Sequence, residues 1–136
     1  MRGSNLGIAL TLILAACSPR ENAPRSSLLQ QGRQYTEWLY GSQYEKLWDR
    51  FSPDMRQTFG TVADLASFAG QAVTRLGQER GRVDERVEAE APVGIYSRTS
   101  TFDRSKHRML LEWTVAEGGV VTGMLLRPAL EGETTQ

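Results

Sequence analysis

Apolar residues recur at spacings of three and four from Leu28 to Leu76, and they alternate with polar residues from Val83 to Pro128. The first period lines one face of a helix and the second lines one face of a strand. Leu28, Leu29, Tyr35, Trp38 and Leu39 predict a first helix, weakened by Gly32 and ended by Gly41. Tyr44, Leu47, Trp48 and Phe51 predict a short second one. Ser52-Pro53 then offers a capping hydroxyl and a proline suited to the first helical position, so a third begins there. A fourth starts at Thr61, which stands at capping-box spacing from Asp64, and stops at Gly77. Val62, Leu65, Phe68, Ala69, Ala72, Val73 and Leu76 form its expected inward stripe.

In the second half Val83, Val87, Ala89 and Ala91 alternate with mostly charged neighbours, and Glu85 falls on the apolar side at its rim. Tyr96, Arg98, Ser100 and Phe102 share one side of the next strand. A polar turn at 103–107 leads to Met109, Leu111, Trp113 and Val115 on one face, with Leu110, Glu112 and Thr114 on the other. Ala116-Glu117-Gly118-Gly119 is a hairpin signal, and Pro128 closes the return strand because proline cannot donate to a ladder. The pattern leaves open which of Val121, Gly123 and Leu125 face the helices. Helices followed by an antiparallel meander describe an α+β domain. The expected architecture is a cone: N-terminal helices across a curved antiparallel sheet of about four strands, spanning 28–130, with a disordered tail at 131–136.

Ahead of this domain, Leu6 to Ala16 is an uncharged apolar run preceded by Arg2. As a helix it reaches about 16 Å, short of the ~30 Å hydrocarbon core, which fits a cleaved export signal rather than a span. Leu14-Ala15-Ala16-Cys17 resembles the lipobox of bacterial lipoproteins. The resemblance implies cleavage between Ala16 and Cys17, acylation of the Cys17 thiol and export to the periplasm or cell exterior. It also explains why an exported chain carries a single cysteine. Residues 17–27, polar and proline-containing, then read as a flexible tether between lipid and domain. More than one acyl chain is needed for stable anchoring, and the lipoprotein modification supplies at least two.

Four stretches carry a second likeness: Phe51-Ser52-Pro53-Asp54-Met55-Arg56, the helix end Arg75-Leu76-Gly77, the strand from Gly94 to Phe102, and the hairpin from Leu111 to Pro128. Together they resemble the small nuclear-transport-factor-2-like domains of bacterial exported proteins. Such domains occur alone or ahead of α/β-hydrolases and β-lactamase-like serine hydrolases. No Ser-x-x-Lys and no Gly-x-Ser-x-Gly occurs here, so the likeness extends to the accessory part only. The wider superfamily holds isomerases, dehydratases and pure binding modules, and fold does not choose among them. Domains of this shape also pair through their sheets, which makes a homodimer an open reading if both sheet faces prove apolar.

Charge narrows the choice. The chain carries 16 basic and 16 acidic side chains, and removing the leader takes away Arg2 alone. A near-neutral body has no basic footprint for nucleic acid. One histidine, His107 in a charged turn, and one cysteine assigned to lipid leave no metal cluster and imply no cofactor. The run from Gln78 to Glu90 reads as a wet sheet face. Tyr96, Arg98, Glu112 and Trp113 are the candidates for lining a ligand pocket or an interface. Two functions remain: a non-catalytic anchored module that binds an envelope protein or small ligand, and a small cone-fold enzyme with a pocket carboxylate such as Glu112 as general base. The anchor is tested by membrane fractionation of Cys17→Ala. The variant is expected in the soluble fraction, and its retention with the membranes would contradict the anchor.

Overall fold

The computed structural model describes residues 23–90 and 92–132, and Ala16, Cys17 and Ala91 lie outside them. Four helices precede four strands: α1 (Ala23–Tyr40), α2 (Tyr44–Arg50), α3 (Pro53–Phe59), α4 (Val62–Leu76), β1 (Glu79–Glu90), β2 (Val93–Phe102), β3 (Met109–Ala116) and β4 (Val120–Pro128). The strands form one open antiparallel sheet in the order β1-β2-β3-β4. All four helices pack toward one of its faces, and the chain has the α+β architecture that its pattern predicts.

Local signals set most element ends. The Ser52 hydroxyl accepts from Met55 N–H at 3.2 Å and starts α3, with Pro53 in its first turn. Both arms of the Thr61–Asp64 capping box form at 3.1 Å and start α4. Gly77 stops that helix with φ +74°. Gly118 and Gly119, at φ +79° and +81°, turn β3 into β4. One boundary differs from expectation. Residues 23–27, which read as tether, already belong to α1.

The buried face of α1 is Leu28, Gly32, Tyr35, Thr36 and Leu39. Leu29 and Trp38, expected inward, are only half-buried, and Gly32 and Thr36 take the central places. A methyl group at Gly32 would stand 2.1 Å from Tyr96 Cγ, so the α1 backbone lies directly on that ring. The Trp113 indole N–H donates to Thr36 Oγ1 at 3.0 Å, and Thr36 Oγ1 donates to the Gly32 carbonyl at 2.7 Å. Tyr35 donates its hydroxyl proton to the Gly119 carbonyl at 2.5 Å and meets Trp113 edge-on at 6.0 Å. Helix, central strand and hairpin are thereby tied at three points.

Bulges change which residues face inward. Register shifts at 79–81 and 82–84 of β1 place Glu79, Arg82, Glu85, Val87 and Ala89 on the helix side. Val83, expected inward, is therefore exposed. A third shift, between Val121 and Gly123 of β4, turns Met124 and Leu126 inward and sends Gly123 and Leu125 to the outer face. Each extra residue reverses the alternation beyond it. Phe68 also departs from its predicted stripe. It is 60% exposed and lies against Phe59 at 5.7 Å, while Leu65, Ala69 and Leu76 make the buried contact of α4.

Gly32→Ala is expected to lower stability by about 2–3 kcal/mol or more, since the ring beneath it is packed on every side. The urea midpoint measures this. A change below about 0.5 kcal/mol would show that α1 does not need its close approach.

Candidate functional site

Under α1 the inner faces of β1 and β2 carry a network of charged side chains. Arg33 grips Glu85 with two prongs, Nη2 to Oε1 at 2.6 Å and Nε to Oε2 at 3.1 Å. Arg82, three residues earlier on the same strand, donates to Oε1 at 2.8 Å. The Tyr96 hydroxyl donates to Oε2 at 2.6 Å. Beside this cluster Arg98 holds Glu79 through Nε at 3.0 Å and through Nη2. Tyr40 closes the end of the network, its ring edge-on to Phe102 at 5.4 Å. The Ser100 hydroxyl, on the same face of β2, is buried without a hydrogen-bond partner among the described residues.

These contacts fix protonation states. The Arg33 bonds hold the Glu85 carboxyl down at about 2, with Tyr96 and Arg82 adding to them against the opposing effect of burial. Burial and the bond to Glu85 push the Tyr96 phenol up to about 12, so it remains a donor. Burial likewise raises Tyr40, reinforced by the nearby Glu79 charge. Arg98 loses solvation by burial, yet its bonds to Glu79 and Tyr96 outweigh that and raise it. An acid held near 2 is a very weak base at neutral pH, and general-base catalysis favours a group matched to the working pH. The network therefore acts as a clamp between helix and sheet.

The four residues singled out from the sequence do not form one site. Tyr96 and Trp113 are cross-strand partners and each is 0% exposed, so they fill the floor under α1. Arg98 lies on the same face, committed to Glu79. Glu112 points to the opposite face, where it accepts from the Ser97 hydroxyl at 3.3 Å. The general-base reading thus loses its candidate residue. His107 is exposed in the turn between β2 and β3. Among the described residues no group of three or more His, Cys, Asp or Glu stands ready to hold a metal ion. No described helix is long and apolar enough to cross a membrane.

Arg33 and Arg82 escape a reading by alternation. The run from Gln78 to Glu90, expected to be a wet sheet face, sends Glu79, Arg82 and Glu85 toward the helices. Glu85 on the apolar side of its strand was the sole visible hint. A surface groove of about 430 Å³ lies at the end of the sheet where β1 meets β2 and β3 meets β4, under the first turns of α1. No protein-family model, no curated protein and no solved structure matches the chain.

Glu85 titrates lower in the folded chain than its ordinary 4.5, so its stabilisation is complete above that pH and is lost as pH falls toward about 2. Its side chain is 12% exposed, but those of Arg33 and Arg82 are 45% and 41% exposed, so solvent screening reduces the effect. Glu85→Gln is expected to cost about 1–2 kcal/mol at pH 7 and to flatten the stability profile between about pH 4.5 and 2. Urea unfolding across that range measures both, and an unchanged acid slope would remove Glu85 from the clamp.

Proposed function

We propose that this chain is a lipid-anchored protein of a bacterial envelope, whose nuclear-transport-factor-2-like cone domain binds a protein partner or small ligand without chemistry of its own. The observation that carries this reading is the filled floor under α1. Tyr96 and Trp113 occupy it completely, and the carboxylates beside them are neutralised by arginine. A filled floor under α1 directs binding away from the charged network. The outer sheet face mixes Ile95, Leu110 and Leu125 with Ser97, Thr99, Glu112 and Thr114, so the register gives a second copy no continuous apolar patch. This favours an envelope partner or ligand over a sheet-to-sheet homodimer.

Crosslinking of the lipidated chain in its native envelope tests the binding role. A discrete adduct is expected, and it is expected to survive Glu85→Gln and Glu112→Gln, because neither carboxylate acts on the bound molecule. Turnover of a small molecule that either substitution abolishes would replace the module with an enzyme.

A further inference from the structure

The groove beneath the start of α1 has a floor of Leu28, Ala89, Gly94 and Val115. Small residues at two of these positions, Ala89 and Gly94, leave room at the end of the sheet. A methyl group on Gly94 would meet the tip of Leu28, Cδ2, at 2.6 Å and push it into the groove. Val93 on the groove wall and Val120 just beyond the hairpin are 39% and 37% exposed. Glu90 and Glu117 also line the groove, both exposed, and neither forms an ion pair among the described residues. An apolar trough edged by two unneutralised carboxylates suits an acyl chain whose headgroup carries a positive charge.

The tether decides where this trough sits. Five residues separate Cys17 from Ala23, and the six steps between them reach about 20 Å when fully extended. A domain hung from an acylated Cys17 keeps the start of α1 within that distance of the headgroups, and the two hairpins share a groove with its first turns. The turn at 103–108 lies at the other end of the strands. We infer that the groove takes an acyl chain from a lipid of the anchoring membrane, with an ammonium headgroup drawn to Glu90 and Glu117. This rests on the anchored reading above and supplies its ligand class. Each methylene that leaves water for the trough adds to the attraction, and the carboxylates repel anionic headgroups while attracting ammonium.

The test uses the lipidated full chain in nanodiscs of phosphatidylethanolamine or of phosphatidylglycerol. A photoreactive side chain is placed at Val93, or at Lys106 in the far turn. The Val93 probe is expected to capture lipid acyl chains about tenfold more than the Lys106 probe, the scale of a specific contact over random collision. Phosphatidylethanolamine is expected to exceed phosphatidylglycerol by about fivefold, the scale of two exposed ion pairs. The double substitution Glu90→Gln and Glu117→Gln, at exposed positions, should erase that preference and keep the capture. Ala89→Phe should fill the trough and abolish the capture. Equal capture from Val93 and Lys106, or a preference for phosphatidylglycerol, would overturn the proposal. Loss of the chain from the discs would defeat the anchor alone. The same two probes on the released chain, with short-chain phosphatidylethanolamine added, would then decide the groove, equal capture again overturning it.

Discussion

The fold depends on how closely α1 can lie on β2. Gly32 has no side chain, and the Tyr96 ring occupies the space a methyl group would need. At that separation three long-range bonds come within reach: Thr36 to Trp113, Tyr35 to the Gly119 carbonyl, and Arg33 to Glu85. Lifting the helix by even the radius of a methyl group would stretch all three together. Glycine is a poor helix former. Its place in the middle of α1 is explained by packing that outweighs propensity.

That close approach also determines what the interior can do. With Tyr96 and Trp113 filling the floor, the polar groups under α1 have no room for a bound molecule between them and must satisfy one another. Glu85 accepts from three side chains on three elements, and Arg98 neutralises Glu79. Buried charge is tolerable only under such pairing, because an unpaired ion in a low-dielectric setting costs several kcal/mol. The same pairing that makes the Glu85 charge tolerable strips that carboxylate of basicity. The groove at the hairpin end, by contrast, is concave, largely apolar and close to the first turns of α1.

The β-bulges connect these features. Without the two shifts in β1, strict alternation would bring Glu79, Gly81, Val83 and Glu85 to one face together, and Arg82 would point away from Glu85. The observed register instead brings Glu79, Arg82 and Glu85 toward α1 and leaves Val83 outside. The shift in β4 does the reverse for apolar residues, bringing Met124 and Leu126 in and leaving Leu125 out. Extra residues of this kind accentuate local twist and bend a sheet, which allows short helices to be cradled against it.

The sequence by itself determined the order and type of the elements, because each is signalled within a turn or two of chain. Ser52-Pro53, Thr61 with Asp64, Gly77 and the Gly118-Gly119 pair act on their own backbone neighbours, and the periods of the apolar residues distinguish helix from strand. The grouping of residues on each side of β2 and β3 was legible for the same reason, as was the placement of Glu85 on the apolar side, but not which side meets the helices. Tertiary structure alone decided the rest. Arg33 and Glu85 are 52 residues apart in the chain, and no local pattern announces that pair. The bulges depend on what each strand must pair with and bend around, so Val83, Leu125 and the inward charge at 82 lay beyond any reading of alternation. Phe68 fits its helical stripe, yet it is exposed because α4 turns other residues to the core. Glu112 and Trp113 are neighbours in sequence and lie on opposite faces of the sheet, since successive side chains of a strand point apart.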